Sequence, residues 1–119
     1  METVAGIGGI FFRAKDPKAL GQWYHQTLGI DPQPGFLPAE GGNTVFAHFA
    51  RDTTYCHPEG RGWMVNFRVR DLDALTTQLR AQGVEVLTDP DWDSTEFGRF
   101  ARIHDPEGNP IELWQPADT

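Results

Sequence analysis

Two stretches of this chain are copies of one another, and a duplicated unit restricts the possible folds more than any single motif does. Phe12-Arg13-Ala14-Lys15-Asp16-Pro17-Lys18-Ala19-Leu20 aligns with Phe67-Arg68-Val69-Arg70-Asp71-Leu72-Asp73-Ala74-Leu75. Phe12/Phe67, Arg13/Arg68, Asp16/Asp71, Ala19/Ala74 and Leu20/Leu75 are identical at a single separation of 55 residues. One gap later, Leu28-Gly29-Ile30 answers Gln82-Gly83-Val84. The matched residues share a physical role. Asp16 and Asp71 are placed to cap helices, and Pro17 stands at a first helical position where its missing N–H is not needed. Gly29 and Gly83 are placed to end those helices in the left-handed conformation. Between cap and stop, Leu20, Trp23, Tyr24 and Leu28 in one copy, and Leu72, Leu75 and Leu79 in the other, recur at helical spacing.

Short β-rich runs bounded by turn residues precede each helix, Ile7 to Ala14 and Met64 to Val69. Strand candidates follow each helix: Phe36-Leu37, Thr44 to Phe49 and Thr53 to Cys56 in the first half; Val84 to Leu87, Gly98 to His104 and Ile111 to Trp114 in the second. Asp105-Pro106-Glu107-Gly108-Asn109-Pro110 is built of turn-forming residues and joins the last two. Each half therefore reads β-α-β-β-β. The expected fold is α+β: one domain over 1–119, two modules at about 5–58 and 62–116, and a cupped mixed sheet with helices on its outer face.

At 119 residues, one domain can bury a core without a disulfide or metal staple. A formal net charge of -7 disfavours nucleic acid and anionic membrane as partners, since both are held by clustered Lys and Arg. A single cysteine, Cys56, has no internal partner and suits a reducing compartment. Its neighbour His57 would point to the opposite face of a strand, so Cys56 reads as an inert thiol. The N-terminal residues lack a signal-peptide pattern and no stretch is apolar enough to span a bilayer, so the expected location is cytoplasmic.

Period-two alternation divides the strand faces. Ile10, Phe12 and Ala14 share one side with the corresponding Val65, Phe67 and Val69, and that apolar side should pack on the helices. Burial there is worth roughly 25 cal/mol per Å² of apolar area. Ile111 and Leu113 join that core side, leaving Glu112 and Trp114 on the other. The mixed face would form a lined hollow, where a small ligand binds. Its candidate ligand-binding residues are Phe11, Arg13, Phe46, His48, Met64, Asn66, Arg68, Phe100, Arg102, Glu112 and Trp114.

At this point the residues resemble a known family. The paired β-α-β-β-β halves are similar to the glyoxalase/bleomycin-resistance/dioxygenase (vicinal oxygen chelate) superfamily. Residues 97–116, Phe-Gly-Arg-Phe-Ala-Arg-Ile-His-Asp-Pro-Glu-Gly-Asn-Pro-Ile-Glu-Leu-Trp-Gln-Pro, resemble its closing segment, in which Asp-Pro-x-Gly-Asn precedes a strand ending in Glu-Leu. Asp-Pro-Lys-Ala-Leu-x-x-Trp-Tyr…Leu-Gly-Ile over 16–30 resembles its first helix. The resemblance implies metal-ligand positions on the first strand of each module, which here fall on Gly9 and Met64. A glycine offers no side-chain donor, and a thioether is a poor ligand for hard divalent ions. Only Glu112 occupies a ligand-type position with a suitable side chain.

Three readings follow. The first is a metal-free member without cofactor that binds a small aromatic or anionic molecule, with Phe11, Trp63, Phe100 and Trp114 as stacking surfaces and Arg13, Arg68 or Arg102 as charge partner. The second is a metal-dependent lyase, isomerase or ring-cleaving dioxygenase with Glu112 as a ligand, helped by His48 or His57. The third is a metal-free enzyme whose general base is Glu112, beside Met64 and Trp114. The resemblance also implies a homodimer.

Overall fold

Both helices form where their caps lie. In α1 (Pro17–Leu28), the Asp16 carboxylate accepts the Ala19 N–H at 3.1 Å, and Gly29 closes the helix at φ 74°. In α2 (Leu72–Ala81), Asp71 accepts the Ala74 N–H at 3.0 Å. A second N-terminal donor of α2, the Leu72 N–H, reaches the Gln115 side-chain oxygen at 2.7 Å. Beyond α2, Gly83 adopts φ 81° and the Val84 N–H turns back to the Leu79 carbonyl at 3.0 Å. Orphan helix groups are thus satisfied at both ends, as the duplicated Asp and Gly positions led one to expect.

The computed structural model describes residues 10, 12–31, 44–45, 47, 50, 52–53 and 62–117. Within them a three-stranded open sheet holds β1 (Val65–Arg68), β2 (Gly98–His104) and β3 (Pro110–Pro116) in the order β1-β3-β2. β3 runs parallel to β1 and antiparallel to β2, with Phe67 opposite Leu113 and Ala101 opposite Leu113 on its two sides. The fold is α+β. The helices cover one sheet face, where Leu20, Tyr24, Leu72 and Leu79 join Ala101, Ile103, Ile111 and Leu113 in one core. No helix among the described residues is long and apolar enough to cross a membrane.

The turn between β2 and β3 carries more than chain reversal. Asp105 is buried, and its carboxylate accepts four hydrogen bonds: the Glu107 N–H at 2.9 Å, the Asn109 N–H at 3.0 Å, the Asn109 side-chain amide at 2.7 Å and the Tyr24 hydroxyl at 2.8 Å. Glu107 reaches outward and accepts the backbone N–H groups of Lys15, at 2.6 Å, and Asp16, at 3.0 Å. One turn therefore grips α1 at its entrance and at its middle.

Two expected strands differ. Val84 to Leu87 is reduced to one bridge, Leu87 with Arg102. Upstream, the Val84 N–H is taken by the end of α2; downstream, Pro90 lacks an N–H and opens a 3₁₀ turn (Pro90–Trp92), so a longer ladder has nowhere to grow. Ile10 and residues 12–14 form no strand; Ile10 is exposed, while Phe12, though partly exposed, meets Tyr24 of α1 edge-on at 6.2 Å and Ala14 packs on the core. Alternation predicts which way side chains point, but a strand exists only with a partner ladder, and these residues have none among the described residues. The candidate Phe36-Leu37 lies outside the described residues, as do residues 46, 48, 49 and 54–56 of the candidates Thr44 to Phe49 and Thr53 to Cys56, while residues 44, 45, 47 and 53 carry no strand.

Burial, then the hydrogen bond and negative charge of Asp105, hold the Tyr24 phenol well above the usual tyrosine range. Tyr24→Phe should cost about 2 kcal/mol at neutral pH, measured by urea unfolding, because a buried carboxylate loses a donor. Above about pH 10 the unfolded chain releases the Tyr24 proton while the folded one keeps it, so wild-type stability falls with pH. The variant lacks that term, and the gap between the two proteins should narrow there.

Candidate functional site

The sheet face turned away from the helices is set by alternation and register together. Along β3, Ile111 and Leu113 point into the core, so Glu112 and Trp114 point the other way. The ladders place Asn66 and Arg102 on either side of Glu112, and Arg68 and Phe100 on either side of Trp114. Two cross-strand rows result, one polar and one aromatic with a cation at its end.

In the polar row, the Asn66 side-chain amide donates to Glu112 Oε1 at 2.8 Å. Glu112 and Arg102 are both buried. The Arg102 guanidinium also lies over the Trp92 ring, 5.6 Å from its centroid, within cation–π range. Glu112 thus has a bonded amide on one strand and, in register on the next, an arginine, so its side chain is fixed in place. The general-base reading, which put Glu112 beside apolar Met64 and Trp114, omitted both of these polar neighbours.

The aromatic row is held more by geometry than by burial. The Trp114 indole N–H donates to the Phe97 carbonyl at 2.7 Å, which prevents the ring from turning. The Phe100 ring lies parallel to it, 2° between planes and 6.1 Å between centroids. The Arg68 guanidinium sits 5.7 Å from the indole centroid. Phe97 itself is exposed at 59%, beside Gly98 at φ 119°.

Of the residues expected to line this face, the structure brings together Asn66, Arg68, Phe100, Arg102, Glu112 and Trp114. Met64 precedes β1 and is half-buried. Arg13 is exposed and lies on no strand of the sheet. Phe11, Phe46, His48 and His57 lie outside the described residues, as do Cys56 and Gly9. Trp92 and the Phe97 carbonyl were not foreseen. The Asp89-Pro90 turn signal before Trp92 could have flagged the first; a backbone acceptor leaves no side-chain signal.

Among the described residues, the donor set of this face does not fit a divalent ion. No three His, Cys, Asp or Glu side chains converge among the described residues. The one carboxylate that the described residues put on the face, Glu112, is bonded to an amide and lies across the ladder from Arg102, so a second cation there would meet like charge. A separate open groove of about 440 Å³ runs between α1 and the 106–107 turn, past Lys15, Trp23 and Glu107. It contains none of the face residues, and we assign the site to the sheet on the chemistry of those two rows.

Residues 9–114 match the family described as glyoxalase-like domain. Among curated proteins, the chain is similar to an anthracycline biosynthesis protein, DauV, from Streptomyces sp. (strain C5), with 34% identity over 97 residues, 66% of this chain and 35% of that protein. The chain spans about a third of that relative's length. Among solved structures it resembles TnmS3, an antibiotic binding protein from Streptomyces sp. CB03234, at TM-score 0.54 and 24% identity, covering 87% of this chain and 89% of that one. It also resembles the trypanothione-dependent glyoxalase I of Leishmania major at TM-score 0.53 and 21% identity, covering 87% and 81%. At those identities the structural likeness is one of fold.

A Cβ added to Gly98 would run into the Gln115 carbonyl oxygen and stand 2.7 Å from the Ala117 nitrogen. Gly98→Ala should therefore force the β2–β3 ends apart and release Trp114 from Phe97, at a cost of about 3 kcal/mol. Loss of the near-ultraviolet tryptophan dichroism, with helical content retained, is the expected signature.

Proposed function

This chain belongs to the glyoxalase-like domain family of the vicinal oxygen chelate superfamily, and on that premise we propose that it binds a small planar aromatic molecule without transforming it and without a metal. The observation that carries this reading is Trp114, oriented by Phe97 and flanked by Phe100 and Arg68 on the face opposite the helix-packed core. A fixed indole with a phenyl and a guanidinium at its sides offers stacking and charge recognition, and nothing in the row is a nucleophile. The polar row beneath gives a second recognition element, because Glu112 and Arg102 are buried and ordered by Asn66 and Trp92. The names of relatives concerned with antibiotics fit a flat natural product as ligand.

The reading also takes the chain as two β-α-β-β-β modules, about 5–58 and 62–116, whose sheets close a shared hollow. The matched caps, Asp16 with Asp71 and Gly29 with Gly83, support it. It includes a homodimer, supported by Phe12 and Trp63, each exposed at 41% and in ring contact at 5.5 Å. The expected location remains the cytoplasm.

The test is a thermal-shift panel of planar aromatic compounds, an anthracycline included, with ligand recovered and analysed afterwards. A ligand at one hundred times its Kd should stabilise the fold by about 2.7 kcal/mol and be recovered unchanged. Added Zn²⁺, Ni²⁺, Mn²⁺ or Fe²⁺ should leave the shift as it was. Absence of any shift, or stoichiometric metal binding that Glu112→Ala removes, would replace this reading with another. Sedimentation should give a dimer that Phe12→Ser weakens.

A further inference from the structure

Beyond the polar and aromatic rows, β2 places one more side chain on the same face. The strand continues past Arg102 to Ile103 and His104, and the ladder sets His104 opposite Pro110. Ile103 is fully buried in the core, so alternation turns His104 to the side of Arg102 and Phe100. The imidazole is half-buried and makes no hydrogen bond or ion pair among the described residues. The adjacent Asp105 carboxylate is spent on Tyr24 and on its own turn. A neutral imidazole carries one donor and one acceptor, and a polar oxygen brought by a ligand can use either.

Position decides what such a ligand must be. The row of Trp114 and Phe100 and the row of His104 lie at opposite ends of β2, about 13 Å apart at ~3.4 Å per residue. Between them Arg102 and Glu112 stand in register and buried. Leu87, bridged to Arg102, shares their side and is exposed at 41%. The middle of the span thus has an apolar side chain at its edge, above polar groups that are already covered. A molecule stacked on Trp114 reaches the imidazole only if its flat body is long enough to cross that middle.

We propose that His104 is the far anchor of the site, which takes an elongated fused-ring molecule with one end on Trp114 and a phenolic or carbonyl oxygen at the other end on the imidazole. This rests on the reading that the face binds an aromatic molecule, and it adds the ligand's length and the residue that reads its far end.

The experiment is calorimetric titration of the purified chain with β-hydroxyanthraquinone and with β-naphthol, a shorter ring system carrying the same hydroxyl, in wild type, His104→Ala, His104→Gln and Trp114→Ala. Wild type should bind the long probe more tightly than the short one. His104→Ala should weaken the long probe about fivefold, the scale of one neutral hydrogen bond, and leave β-naphthol unchanged. His104→Gln keeps a donor and an acceptor and should restore part of the loss, while Trp114→Ala should weaken both probes. An unchanged long-probe affinity in His104→Ala, or an equal loss for both probes, would overturn the far anchor while leaving aromatic binding intact. Binding of neither probe to wild type, or loss of neither in Trp114→Ala, would overturn the anchor and the underlying reading together.

Discussion

A buried carboxylate must be answered by donors, and Asp105 is answered by four at once. Two backbone N–H groups and an amide come from its own turn; the fourth donor, the Tyr24 hydroxyl, comes from α1, 81 residues earlier. Leaving any of these unmade in a dry interior would cost more than a surface hydrogen bond contributes. The β2–β3 turn and α1 are therefore obliged to meet, and Glu107 fixes the helix entrance to the same turn. The core closes around that meeting, with Leu20 and Tyr24 against the sheet residues Ile103, Ile111 and Leu113.

Once α1 and α2 are docked on one side of the sheet, Glu112 and Trp114 are turned to the other. Alternation along β3 sends Leu113 to the core and Trp114 outward, so a shift of one residue would exchange them. That shift is opposed by the Leu72 N–H bond to Gln115 and by the tight approach at Gly98. The same fold supports a binding protein and an enzyme among the solved structures it resembles, so function must be argued from the face and not from the fold. Here the described residues of the face offer aromatic surface and arginines, and the carboxylate among them, Glu112, is already bonded to Asn66.

Much of this was legible in the chain because the signals are local. Asp16, Asp71, Gly29 and Gly83 act within a few residues of themselves, and the structure uses all four as the duplication suggested. β2 and β3 were readable because the Asp105–Pro110 segment allows only a turn between two alternating runs. Val84 to Leu87 misled because its composition suits a strand while its first N–H, that of Val84, is taken by the end of α2 and only Leu87 pairs with the sheet. Residues 10 and 12–14 were expected in a strand and form none among the described residues, because alternation carries no information about pairing, yet Phe12 and Ala14 do lie on the helix side. On the face, Asn66, Arg68, Phe100, Arg102, Glu112 and Trp114 were recoverable by counting in twos, whereas Trp92 over Arg102 required the 3₁₀ turn to be folded first.

What the amino-acid order determined by itself was local: where helices begin and end, where the last hairpin turns, and which strand residues share a side. Those follow from backbone sterics, capping donors and a period of two, all of which act over a few residues. The register was decided only in three dimensions. It set Glu112 between Asn66 and Arg102, and Trp114 between Arg68 and Phe100. Residues 66, 102 and 112 become neighbours only when two ladders are zipped with a particular alignment, and that alignment is chosen by burial and by the Asp105 turn.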